Sequence, residues 1–136
     1  MPDDVILAKV EIIENCLRRL DEVYAGVSAN LFDDLTRQDS ILLNLERACQ
    51  ASVDIAFRII RIRRLGLPKE TRDAFEVLES RGLLEESLSD ELKLMVGFRN
   101  LAVHNYRALN LLVVERILRE KLDVFRRFST WALSNY

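Results

Sequence analysis

Only four glycines and two prolines punctuate the 136 residues of this chain. Glycine and proline are the residues that interrupt helices and build tight turns, so their scarcity favours long uninterrupted helices and disfavours a fold of short strands and turns. The apolar positions agree. Ile6, Val10, Ile13, Leu17, Leu20 and Tyr24 recur at spacings of three and four, the period of one helical face. Val5, Ile12, Cys16 and Val23 form a second stripe about 100° away. This first helix, from about Asp3 to Tyr24, thus has an apolar face wide enough either for deep core or for core plus an oligomer interface. A polar connection leads to a second helix from about Leu35 to Leu65, with Leu42, Leu45, Cys49, Val53, Ala56 and Ile60 inside and Gly66 as its stop. Pro68 is expected to open a third helix and Gly82 to close it. A fourth begins near Ser87, with Asp90 as its capping-box partner, and a fifth runs from about Asn110 to Leu133 through Leu111, Val114, Leu118, Phe125, Phe128 and Ala132. The expected fold is an all-α, up-and-down bundle of about five helices in one domain, residues 1–136.

Apolar residues at 49% and charged residues at 31% suit a globular chain with a real core. A net charge of −2 gives no broad attraction to nucleic acid, although 16 of the 20 basic residues are arginine, the side chain suited to phosphate. Cys16 and Cys49 form no CxxC and fall on apolar stripes, as expected of small buried residues in a cytoplasmic protein. There is no signal-peptide pattern and no apolar run near the ~20 residues of a membrane span. Phosphate-cradling glycine loops and the nucleophile elbow of hydrolases are missing as well. One histidine and two separated cysteines do not make a closed zinc site, so neither metal nor cofactor is expected.

The stretch RNLAVHNY, residues 99–106, holds the single histidine of the chain. A guanidinium, a carboxamide, an imidazole and a phenol fall within eight residues. RNA cleavage by the substrate's own 2′-hydroxyl needs a proton carrier near neutral pKa and a fixed cation for the charge that develops at phosphorus. His104 and Arg99 fit those roles, with the helix expected to loosen near Asn105 and Leu101, Ala102 and Val103 anchoring the turn in the core. Two protons must move and each chain has one histidine, which favours a two-fold homodimer around the motif. Gly97 costs the helix ~1 kcal/mol relative to alanine, which suits close approach of a second backbone, an RNA strand or another helix of the same chain. Asp54 shares a polar face with Arg47, Gln50, Arg58 and Arg61. That face is either a solvated salt-bridged one, with Asp54 and Arg58 as an i,i+4 pair, or the lining of the cleft, with Asp54 orienting an active-site arginine and Arg58 and Arg61 following RNA.

In Arg99, His104 and Tyr106 the sequence resembles the HepT-type toxins of the HEPN superfamily, whose signature is Arg, four to six residues, His-x-Tyr. Asn100 matches the polar residue that commonly follows the arginine, and QASVDIAFRII at 50–60, RDAFEVLESRGLL at 72–84 and LMVGFRNLAVHNY at 94–106 follow the family's order, so that the likeness covers roughly residues 1–125. The resemblance implies a metal-independent endoribonuclease acting on RNA as a homodimer, with Arg99 and His104 catalytic and Asn100 in support. It further implies a separate MntA-type minimal nucleotidyltransferase antitoxin that silences the toxin by transferring AMP to Tyr106. The alternative within this resemblance is a non-catalytic HEPN-like module that binds a nucleotidyltransferase or nucleic acid; the intact Arg99 and His104 favour catalysis.

Overall fold

The computed structural model describes residues 2–25, 34–104 and 110–136, together with the backbone but not the side chains of Ala25, Val103 and His104. Its described elements are six helices: α1 (Asp4–Ala25), α2 (Leu35–Arg63), α3 (Asp73–Ser80), α4 (Glu86–His104), α5 (Leu111–Glu120) and α6 (Leu122–Asn135).

Three helix starts, those of α1, α2 and α5, are capped by a side-chain acceptor, whereas α3 and α6 begin without one. Asp3 caps α1, its carboxylate accepting from the Val5 and Ile6 amides at 3.0 and 3.2 Å. Asp34 accepts from Arg37 N at 3.1 Å and Asn110 from Leu112 N at 2.9 Å, opening α2 and α5. Three boundaries differ from the sequence expectation. The left-handed residue that ends α2 is Arg64, at φ 55°, and not Gly66; the Leu65 amide closes back on Ile60 O at 3.0 Å, so the helix stops two residues early. Pro68 lies in the connection, and α3 starts only at Asp73, after the Asp73 carboxylate has accepted from Glu70 N at 3.2 Å. α4 begins at Glu86, where Glu85 O accepts from Ser89 N at 2.9 Å and Ser87 donates to the Glu85 side chain instead of capping.

The expected fifth helix is two helices, which makes six in all. Lys121, at φ −116° and ψ −4°, separates α5 from α6, with its ammonium 3.7 Å from Glu91 of α4. Leu118 and Leu122 on either side of this break are both buried.

α1 and α2 pack antiparallel as a long hairpin: Asp3 meets Arg58 and Lys9 meets Asp54, so numbers rise in one helix as they fall in the other. α4 crosses the inner side of α2, where Cys49 Sγ donates to Met95 O at 3.5 Å. α3 is tied to α4 by Lys93, which pairs with Glu76 and Glu79. α6 closes the bundle. Its Phe128 meets Phe75 of α3 edge to face at 5.6 Å, and Trp131 donates to Leu83 O at 3.1 Å. Every apolar position expected inside α2 is buried, as are Ile6, Val10, Ile13, Leu17 and Leu20 of α1. The second α1 stripe divides, with Cys16 buried and Val5 and Ile12 about 40% exposed. No described helix is long and apolar enough to cross a membrane.

Candidate active site

The first half of RNLAVHNY continues α4, whose buried side is set by Leu92, Met95 and Val96. Arg99 is three and four positions on from these, so its stem runs along the core edge with 23% of the side chain exposed. Its Nη2 lies 3.9 Å from Glu46 Oε1 of α2, and its Nη1 donates to Asn100 Oδ1 at 3.2 Å. Its Nε is buried without a hydrogen-bond partner among the described residues. Such an orphaned charged donor costs ~1–3 kcal/mol when nothing satisfies it. The guanidinium is therefore held at two corners, and the 23% of the side chain that stays exposed is what an anionic oxygen could meet.

Glu46 was not apparent from sequence spacing around the motif. Its one signal is that Glu46, Gln50 and Asp54 follow at intervals of four on one face of α2. The carboxylate beside Arg99 is Glu46; Asp54 is eight residues further, about 12 Å along the helix. Asp54 accepts from Gln50 Nε2 at 2.9 Å and pairs with Lys9 at 3.0 Å, so it holds α1 against α2. The expected Asp54–Arg58 pair gives way to a longer-range one. Arg58 closes a two-pronged fork on Asp3, with Nε donating at 3.1 Å and Nη2 at 2.9 Å. That fork holds the Asp3 carboxyl below its ordinary value and raises Arg58 further. Arg61 is exposed and has no side-chain partner among the described residues.

Cys49 lies under Arg99. Burial pushes its thiol up to about 12, against a smaller opposing pull from the Arg99 charge, so it is a neutral filler. Leu101 is 40% exposed and does not anchor the motif in the core. With Leu94, at 67%, it forms an open apolar edge on α4, and a Cβ built on Gly97 between them would meet no described atom within 4 Å. Gly97 therefore serves no tight helix crossing among the described residues of the chain. α4 ends at His104, five residues past Arg99. The His104 side chain, Asn105 and Tyr106 lie outside the described residues.

The family model described as ribonuclease HepT-like matches residues 13–130. The chain belongs to the HepT-like ribonuclease family. A curated relative, the mRNA nuclease HepT of Shewanella oneidensis, is 43% identical over 126 residues, which cover 93% of this chain and 94% of that one. Two solved structures superpose closely. One is a toxin–antitoxin crystal structure with AMP-PNP, 40% identical at a TM-score of 0.93, covering 98% of this chain and 100% of that one. The other is the tri-AMPylated Shewanella oneidensis HEPN toxin in complex with MNT antitoxin, 41% identical at a TM-score of 0.93, covering 98% and 99%. The HepT-like assignment agrees with the all-helical architecture of the described residues.

Proposed function

We propose that this chain is the ribonuclease toxin of a toxin–antitoxin pair, cutting RNA in the cytoplasm as a homodimer without a metal ion. The carrying observation is Arg99, a guanidinium anchored by Glu46 and Asn100 and still 23% exposed, on the helix that runs to His104. In the reaction the substrate 2′-oxygen attacks the adjacent phosphorus while one imidazole takes the hydroxyl proton. Arg99 balances the charge on the non-bridging oxygens. The bond to the 5′-oxygen then breaks, and that oxygen takes a proton from a second imidazole, which leaves a 2′,3′-cyclic phosphate and a 5′-hydroxyl. Each chain carries one histidine, so the second comes from the partner protomer. The open edge of Leu94, Gly97 and Leu101 beside the motif supports a second copy docking there. Asn100 orients Arg99, Arg61 contacts RNA, and Arg58 and Asp54 brace the α1–α2 hairpin.

The antitoxin is a nucleotidyltransferase that transfers AMP from ATP to the Tyr106 oxygen and releases pyrophosphate. The tri-AMPylated relative supports this reading. The adduct brings phosphodiester charge next to the cation that the transition state needs.

The test is incubation of the purified protein with RNA in excess chelator, with product ends mapped. Cyclic-phosphate ends are expected, and their loss in His104→Ala and in Arg99→Ala with unchanged helical circular dichroism. Chelator-sensitive cleavage would overturn the metal-free mechanism.

A further inference from the structure

The outer face of α2 carries one continuous stripe. Glu46, Gln50, Asp54, Phe57 and Arg61 follow at steps of four, four, three and four, the spacing that keeps side chains on one helical side. One end of the stripe touches Arg99 through Glu46. Arg61 lies fifteen residues on, about 22 Å along the axis. Two hollows abut along this face where α1 packs on it. The first, about 370 Å³, lies among Lys9, Ile12, Arg47 and Gln50. The second, about 650 Å³, is walled by Val5, Phe57, Leu67, Arg61 and Arg64. They share Asp54 and so form one groove.

The charges in the groove are unequally occupied. Asp54 is covered by Lys9 and Gln50, and Arg58 by Asp3. Arg47, Arg61 and Arg64 make no side-chain hydrogen bond or ion pair among the described residues. The apolar wall is equally open: Leu67 is 90% exposed, and Phe57 is partly buried with its side chain against the larger hollow. Unpartnered guanidinia beside an aromatic and an aliphatic wall are the components that hold single-stranded nucleic acid, cation to phosphate and ring to base.

We propose that this groove is the binding track for the RNA strand beyond the cut, with phosphates on Arg61 and Arg64 and a base against Phe57 and Leu67. The inference rests on the ribonuclease reading and extends it. The scissile phosphate sits at Arg99, and the strand runs along α2 for several nucleotides to the turn after Arg63. Affinity is thereby separated from chemistry. The motif does the cutting, while the far end of α2 decides how long a single strand must be to bind well.

The experiment uses the full chain in a His104→Ala background, so that RNA is bound and not consumed, and a fluorescein-labelled single-stranded RNA of twelve nucleotides. Arg61→Ala/Arg64→Ala should weaken Kd on the order of ten-fold at low salt and reduce the slope of log Kd against log salt by about 1.4, the loss of two single-strand phosphate contacts. Phe57→Leu should weaken binding without changing that slope. Arg119→Ala/Arg126→Ala removes the same charge from exposed positions on α5 and α6 and should leave Kd unchanged. Equal losses in both double variants would reduce the effect to bulk charge and overturn the groove. So would an Arg61/Arg64 variant that keeps its RNA affinity but no longer holds the nucleotidyltransferase, since the groove would then belong to the protein partner. Wild-type protein that cleaves no RNA would sink the ribonuclease reading itself, whereas cleavage with unaltered binding by the variants sinks the groove alone.

Discussion

Arg99 Nη2 stands 3.9 Å from Glu46 Oε1, across the contact between α4 and α2. At that distance the carboxylate steers the guanidinium without enclosing it, and the remaining donors stay available. Removing the cation should therefore cost far more than removing its guide. Arg99→Lys, which keeps the charge but loses the fork, is expected to lower kcat by about 10²–10³-fold. Glu46→Gln should lower it by less than about ten-fold, judged against general acid–base and positioning effects. Single-turnover cleavage of a short RNA measures both. Equal losses would make Glu46 a participant in the chemistry.

Gly97 offers a test of the dimer that separates folding from association. No described atom lies within 4 Å of a Cβ placed there, so Gly97→Ala should fit the single chain and stabilise α4 by up to ~1 kcal/mol through helix propensity. If the α4 edges of two protomers meet at this point, the added methyl holds them apart. The expected outcome is weaker dimerisation in sedimentation together with undiminished helical content. A variant as dimeric as wild type places the protomer contact elsewhere.

Tyr106→Phe keeps the ring and removes the oxygen that would accept AMP. Co-expressed with the cognate nucleotidyltransferase, wild type should gain mass in steps of roughly 329 Da per AMP, and the variant should gain none. Provided the variant still cleaves RNA, it should also remain toxic. Silencing of the variant as readily as wild type would move control to another residue or to binding alone.

The Asp3–Arg58 fork gives a pH-dependent prediction with a defined sign. Arg58 lowers the folded-state pKa of Asp3 below that of the unfolded chain, so the stabilisation is complete above the ordinary carboxylate range, near pH 4, and is lost as pH falls through the lowered folded value. Asp3→Asn retains a residue suited to helix capping but removes the charge. It should lower Tm at pH 7, and the gap from wild type should close as both proteins are taken in acid through the lowered carboxyl range of Asp3. A gap that persists in acid would trace the loss to capping.

How much was legible in advance depended on the range of the interaction. Apolar spacing reports burial along one helix, and it found the interior of α2 residue by residue. It missed the break at Lys121 because Val114, Leu118, Phe125 and Phe128 keep the same period on both sides, and no glycine or proline marks the gap. It paired Asp54 with Arg58 because they are one turn apart, whereas Arg58 finds Asp3 across 55 positions of sequence. The Arg-x4-His spacing located Arg99. Glu46, which holds it from another helix, leaves no mark near the motif. Local pattern therefore pointed to Arg99 as a candidate but not to Glu46 beside it, since that contact is assembled by tertiary packing.

The Nε of Arg99, buried without a hydrogen-bond partner among the described residues, sets what selection for a sturdier protein would do to this chain. A donor buried without an acceptor is a standing penalty on the native state, and an unbranched apolar side chain such as methionine would cover Cys49 and Met95 without it. Arg99→Met is expected to melt no lower than wild type while being inert toward RNA. Random variation screened only for thermal tolerance would then drift toward harmless versions of the protein. An arginine retained at this position would record continued use of the activity.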